Sequence, residues 1–392
     1  DLYVISGGSE AKPGDSYYTD RFYENKGNGK FVRNTTAIPN ITSSGLRVSS
    51  SDFDNDGDID LFIGGRITPG LYGRPVKSYL LENNSENGTI KFTDVTAKYL
   101  PELVSHTMVT ASTWADIDKD GDQDLFIANE WGAIELYVNQ NGSFINQTEK
   151  YGLSEHVGWW SSIEVNDIDN DGDLDVIAGN LGLNYKYKAD FEKSFYMYLN
   201  DFDGNNTEDI VLGYSQNDQV FPVRGRSCSS GQMPFIKEKF KNFNAFGSAN
   251  VKDIYGDKLK ESLSYKATHF ATSILKNTNG KFEFNPLENR VQLSSVNKIL
   301  IDDFNNDGSK DIVLLGNLFG AEVETPRNDS NYGFLLQGNE KYGFDFISND
   351  HSNLWAGGDV KDAAFIKIGT SKAILIARNN GKLSLIKINK SK

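Results

Sequence analysis

Five short stretches carry most of the side-chain chemistry of this chain: DFDNDGDID (52–60), DIDKDGDQD (116–124), DIDNDGDLD (167–175), DFDGNNTED (201–209) and DFNNDGSKD (303–311). Each sets oxygen-bearing side chains at alternate positions of a nine-residue loop. Carboxylates this close repel one another unless a cation lies among them. A hard cation such as Ca2+ takes six to eight oxygens at about 2.3–2.6 Å. In a tight turn, positions 1, 3 and 5 point inward, position 7 offers its main-chain carbonyl, and position 9 closes the shell. The residues assigned to the cages are Asp52, Asp54, Asp56, Asp58 and Asp60; Asp116, Asp118, Asp120, Asp122 and Asp124; and Asp167, Asp169, Asp171, Asp173 and Asp175. The last two cages take Asp201, Asp203, Asn205, Thr207 and Asp209, and Asp303, Asn305, Asp307, Ser309 and Asp311. Position 6 must turn with φ > 0, so it is Gly57, Gly121, Gly172 and Gly308, and in the fourth loop Asn206. Where an acid is missing at an alternate position, Asn205 and Asn305 keep an oxygen there. An EF-hand is excluded, because it needs a bidentate Glu at position 12 between helices. Here position 12 is Ile63, Ile127, Ala178, Leu212 or Leu314, each inside an apolar run. Magnesium, which keeps its waters, suits an all-protein cage less well.

The elements that hold these loops are strands. Runs such as LFIGG, LFIAN and IVLLGN follow the loops, and segments such as LRVSSS and NKILID precede them. The unit is strand, acidic turn, strand. Asp1 with LYVISGG matches the ninth position and second strand of the same unit, so the chain is expected to begin inside a sixth copy.

These loops resemble the FG-GAP/VCBS repeats, whose D-x-D-x-D-G-x-x-D loops bind Ca2+ in the hairpins of β-propeller blades, as in integrin α-subunit heads and many bacterial surface proteins. With MYLNDFDG, GNLFGAEVETPRND and ILIARNNGKL, the chain also looks like the propeller of UnbV/cartilage-acidic-protein-type chains. The resemblance implies an all-β, seven-bladed β-propeller spanning 1–392 as one domain. Loop intervals and recurring strand–Asn/Gly turn–strand ends (RFYENKGNGK, YLLENNSENG, LYVNQNGSF, SILKNTNGKF) place the blades near 1–40, 46–97, 107–150, 157–222, 265–292, 296–347 and 354–392. The fourth loop is assigned to the outer hairpin of the third loop's blade, and the last blade is expected to bind no metal. Between 232 and 267, apolar residues at three- and four-residue intervals predict a helical insertion.

Composition narrows the function. A formal charge of −14 argues against nucleic acid or an anionic membrane surface as the main partner. Cys228 is the only cysteine, which excludes an internal disulfide. No apolar run is long enough to span a membrane, and DLYVISGG is no signal-peptide core. Five divalent ions would bring −14 to about −4. A site with a Kd near 10⁻⁴ M in roughly millimolar Ca2+ gains about 1.4 kcal/mol, and five together about 7. Such sites would be nearly empty in the cytosol, so the expected location is extracellular or at the cell surface, that of a bacterial outer membrane included.

Loops leaving the second strands must emerge opposite the metal loops. There Arg66, Glu130, Trp131, Tyr185, Phe319 and Arg327 are expected to surround a mouth for a glycan or protein partner, within a larger surface protein or membrane-protein assembly. The alternative is a carbohydrate-active hydrolase or lyase with paired carboxylates such as Glu130 and Glu322. It is disfavoured, because the clustered acids are already assigned to metal. His106, His156, His269 and His351 form no ligand spacing, and no nucleophile elbow is present.

Overall fold

The computed structural model describes residues 1–106, 108–322, 324–339 and 343–388. Seven antiparallel sheets account for nearly all regular structure among them. The first is β1 (Leu2–Val4), β2 (Arg21–Asn25) and β3 (Phe31–Asn34); the second is β4 (Ser44–Ser51), β5 (Asp60–Ile67), β6 (Tyr79–Asn83) and β7 (Phe92–Asp94). The third joins β8 (Met108–Ala115), β9 (Asp124–Gly132), β10 (Glu135–Gln140), β11 (Ser143–Asn146) and the short β12 (Gly158–Trp159). Then the chain departs from simple succession. The hairpin β13 (Ser162–Asn166) and β14 (Asp175–Gly179) is followed by β15 (Phe195–Asn200), β16 (Asp209–Gln216), β17 (Gln219–Pro222) and β18 (Leu263–Ala267), which form a sheet of their own. Only afterwards do β19 (Ser273–Asn277) and β20 (Phe282–Pro286) complete the sheet of β13 and β14, with Ile177 opposite Ile274. The last two sheets are β21 (Val296–Asp302), β22 (Asp311–Gly316), β23 (Phe334–Gly338) and β24 (Phe344–Ile347), and β25 (Val360–Ile368), β26 (Ser371–Arg378) and β27 (Ser384–Lys387).

The nearly all-β propeller class expected from the sequence is therefore present, but its division differs. Residues 157–222 are not one blade and 265–292 are not another: 162–179 and 273–286 share one sheet, and 195–222 pairs with 263–267 in an inserted one. The inserted segment runs from about 180 to 272. The helices of the predicted insertion, Arg226–Gln232, Phe235–Lys239, Phe243–Gly247 and Val251–Tyr255, are only its cap, and 263–267 is strand. Residues 389–392, expected in the last blade, lie outside the described residues.

Face-to-face packing explains the strand composition. Successive sheets bury five apolar layers between them, centred on Phe22 and Ile63, Phe62 and Leu125, Phe126 and Trp160, Ile177 and Ile312, and Leu315 and Ile374. A second strand such as β22 has a neighbouring sheet on each side, so all six of its residues are buried and its sequence reads as one apolar run. By contrast β16, in the inserted sheet, alternates between buried and partly exposed residues. The first strands β4, β8, β13, β21 and β25 stand side by side in that order around the middle of the molecule. Each ends at its acidic loop where one is present, so those loops share one face.

Candidate metal loops and the opposite mouth

Each acidic loop folds around its first aspartate. Asp52 accepts the main-chain N–H groups of Asp56 (3.1 Å) and Gly57 (3.0 Å), Asp116 those of Asp120 and Gly121, and Asp303 those of Asp307 and Gly308. Position 5 then accepts the N–H of position 7, as Asp56 does from Asp58 at 3.0 Å. Position 6 has positive φ in all five loops, from 65° at Asn206 to 97° at Gly121. Position 4 does too, at Asn55, Lys119, Asn170, Gly204 and Asn306. The sequence reading missed this second left-handed site, although four of the five residues there are Asn or Gly, the types that adopt it most readily.

Position 9 stitches the sheet. The buried Asp60 accepts N–H groups from Phe53 in its own loop (3.1 Å) and from Asn83 on the third strand (2.8 Å). Asp124 does the same with Ile117 and Asn139, and Asp311 with Phe304 and Gly338. Asp175 receives Asn277, which comes from beyond the insertion, at 2.8 Å. Asp1 accepts the N–H of Asn25 at 2.8 Å, the contact expected of a ninth position.

The donor sets fit a hard cation. Carboxylate oxygens of Asp52, Asp54 and Asp60 lie within 4.8 Å of one another, as do those of Asp116, Asp118 and Asp124, of Asp167, Asp169 and Asp171, and of Asp201, Asp203 and Asp209. Buried oxygens of Asp54, Asp58, Asp167 and Asp175 have no hydrogen-bond partner among the described residues, which is costly unless something positive is held there. Burial, reinforced by neighbouring carboxylates, pushes Asp60 and Asp124 up to about 7 and Asp175 up to about 6. A divalent ion would hold them ionised. Positions 1, 3 and 9 would thus supply ligands in loops one, two and four. In loop three the converging set is 1, 3 and 5, and Lys276 of β19 already pairs with Asp169. Loop five keeps the turn, with Asn305 accepting the N–H of Asp307 at 3.0 Å.

The side chains at position 7 do something else. Asn55 donates to Asp122 of the next loop (2.7 Å), and Lys119 to Asp173 of the one after (2.8 Å). Loops one, two and three are thereby tied edge to edge. In the fourth loop Asp201 accepts Gly204, Asn205 and Asn206; burial works against ionisation, but these N–H groups outweigh it and hold the carboxyl below the usual range. Its closing Asp209 receives Gln232 Nε2 of the helical cap (3.0 Å), and Lys258 donates to the carbonyls of Asp201 and Phe202.

On the other face, a cavity of about 500 Å³ opens among the starts of the first strands. Arg66 and Glu130 line it and form an ion pair. Tyr72 donates to the other oxygen of Glu130 at 2.5 Å, and Trp131 Nε1 donates to Tyr72 at 3.0 Å. Trp131 itself is 3% exposed, stacked on Phe195 of the inserted sheet. Tyr185 packs edge-on against Tyr187 in the same layer. Phe319 lies under the Arg327 guanidinium (4.6 Å), which bonds Asp329. The structure brings Arg66 and Glu130 into the mouth and leaves the other four expected residues outside its lining. Sequence reasoning missed Arg47, Trp159, Ser295 and Asp362, which also line it. Arg47, Ser295 and Asp362 sit at or near the starts of first strands, and Trp159 sits on β12.

Antiparallel sheets packed face to face, five of them carrying a strand–acidic loop–strand unit, define a repeat protein of the propeller class. The chain contains FG-GAP-like repeats: that family matches residues 1–63 and 116–178. It is similar to cartilage acidic protein 1 of Xenopus tropicalis, 26% identical over 177 residues that cover 40% of this chain and 24% of that protein. The match thus spans about a quarter of the relative's length. Among solved structures, BBS1N in complex with ARL6DN aligns over 100% of this chain and 97% of its own at 10% identity, with a TM-score of 0.35. The V. cholerae biofilm matrix protein Bap1 aligns over 89% and 68% at 9% identity, with a TM-score of 0.29.

Proposed function

We propose that this chain is a calcium-stabilised binding module that works outside the cell or at its surface, presenting the face opposite its metal loops to a protein or glycan partner. The observation that carries the reading is the convergence of three carboxylates in each of four loops, with buried oxygens of Asp54 and Asp167 unpartnered among the described residues. Such loops favour ionised, cation-bound carboxylates, and extracellular calcium is abundant enough to fill sites of modest affinity. Among the described residues no helix is long and apolar enough to cross a membrane.

The acids of the opposite face support binding over hydrolysis. Both oxygens of Glu130 are engaged, by Arg66 and Tyr72. Glu322 is held down to about 2, chiefly by Lys186, with Thr325 and Tyr187 helping against the effect of burial. Glu322 is thus not the protonated carboxyl that a general acid requires, and Glu130 has no oxygen free of a partner. The test is a calcium titration of chelator-treated protein by calorimetry, paired with metal analysis of the untreated protein. Four or five equivalents with a rising melting temperature are expected. Absence of bound calcium and indifference to chelator would overturn the reading.

A further inference from the structure

We propose that the cavity at the mouth is a binding site for a small monocarboxylate with a compact apolar body. The inference rests on the binding-module reading above and names the ligand chemistry of its exposed face. The volume, about 500 Å³, lies within the range of small-molecule sites. Its walls are mainly Leu46, Leu181, Leu318, Trp159 and Trp160. Its charged groups are Arg47 and Arg66, paired with Asp362 and Glu130, and Lys361, whose ammonium pairs with Asp359 outside the lining.

Unused hydrogen-bond donors point the same way. Arg66 spends Nη2 on Glu130, whereas its Nη1 is buried without an acceptor. The Ser295 hydroxyl and the Trp159 indole N–H are also buried and unpartnered among the described residues. A buried guanidinium nitrogen without an acceptor is costly, and native proteins rarely leave one. All three groups can donate, so what satisfies them must accept. A single carboxylate meets a single spare guanidinium nitrogen flanked by two neutral donors, which a polyphosphate would exceed. A sugar would bring several hydroxyls needing partners, whereas Thr110, Ser161 and Asn297, which also line the cavity, already donate to main-chain carbonyls. The apolar remainder of the ligand would lie against the leucines. The carboxylate could belong to a free acid or to the C-terminus of a partner peptide.

The test uses the calcium-loaded protein and four probes in calorimetric titrations: cyclohexanecarboxylate, N-acetyl-leucine, cyclohexylmethanol and N-acetyl-leucinamide. Saturable binding of one or both acids, at least about tenfold tighter than the matching neutral probe, is expected. Cyclohexanecarboxylate alone would indicate a free acid, and N-acetyl-leucine alone a peptide terminus. Ser295→Ala and the paired Arg66→Met/Glu130→Gln variant, which avoids stranding Glu130, should each weaken acid binding about tenfold or more. Both should keep the melting shift on calcium addition. No saturation by either acid up to about 10 mM, equal binding of acid and neutral probe, or variants that bind as well as the parent would overturn the inference and assign the cavity to water. If acid binding failed while the calcium response persisted, only this inference would fall; loss of the calcium response would remove the module reading instead.

Discussion

Loop two and the loop at 201–209 share aspartates at positions 1, 3 and 9 and fasten different things. In loop two, Asp124 reaches the third strand of its own sheet through Asn139, and the loop is tied sideways to its neighbours through Asp122 and Lys119. In the fourth loop, the corresponding Asp209 reaches Gln232 on a helix, and Lys258 from beyond the same helices holds the loop's carbonyls. One loop stitches a sheet that is covered on both faces; the other buttons a helical cap onto a peripheral sheet. The difference teaches that the motif is a portable clamp whose closing carboxylate takes whichever donor the next element offers.

The largest effect should come from removing calcium altogether. Chelation is expected to cost on the order of 7 kcal/mol, measured as a fall in the urea midpoint. Hydrogen exchange should then rise across the sheets containing loops one to three as well as in the cap. Next, Asp124→Ala removes a buried acceptor of two main-chain N–H groups together with a metal ligand, and should cost about 3 kcal/mol. Asp209→Ala should cost about half that, with faster exchange confined to 195–267. Equal and equally widespread losses would break the contrast.

Acid should test the seam between the host sheets and the insertion. His156 and His269 touch there, ring nitrogens 3.4 Å apart. Burial, with His269 adding to it, holds His156 down to about 4, and burial also lowers His269. A histidine with a folded value below its unfolded 6.5 gives stability that is complete above 6.5 and is lost as pH falls toward 4. Unfolding followed from pH 7 to 4.5 should therefore steepen relative to a His156→Gln/His269→Gln variant, by up to about 2 kcal/mol. Smaller still is the effect of Lys276→Gln. Removing the ammonium that pairs with Asp169 should tighten calcium at loop three about threefold to tenfold, readable by titration, and leave loop two unchanged.

The loops were legible in the sequence because a tight turn folded around one aspartate and closed by another restricts both residue type and spacing. Their strands were legible because a strand covered on both faces must read as an unbroken apolar run. The pairing of β14 with β19 was not, because register between segments separated by an insertion leaves no local trace. A trace did exist at one remove. Asn25, Asn83, Asn139 and Asn277 occupy the same place on a third strand and donate to closing aspartates. SILKNTNG has such an Asn but no acidic loop directly before it, so it had to be served by one further upstream. Trp131 and Tyr185 looked like mouth residues because their loops leave on that face. The inserted sheet covers them, and nothing in their own loops announces that cover.

The insertion leaves and rejoins its host sheet at one spot. The Asn180 backbone N–H donates to the Thr272 hydroxyl at 3.1 Å, and the Gly182 N–H donates to the carbonyl of Phe270 at 2.8 Å. A segment of some ninety residues whose two ends touch can be lengthened, trimmed or exchanged without asking the host to move. The host sheet would need only a short hairpin between its second and third strands. Such a joint lets selection alter what covers the mouth while the clamped framework below is inherited intact.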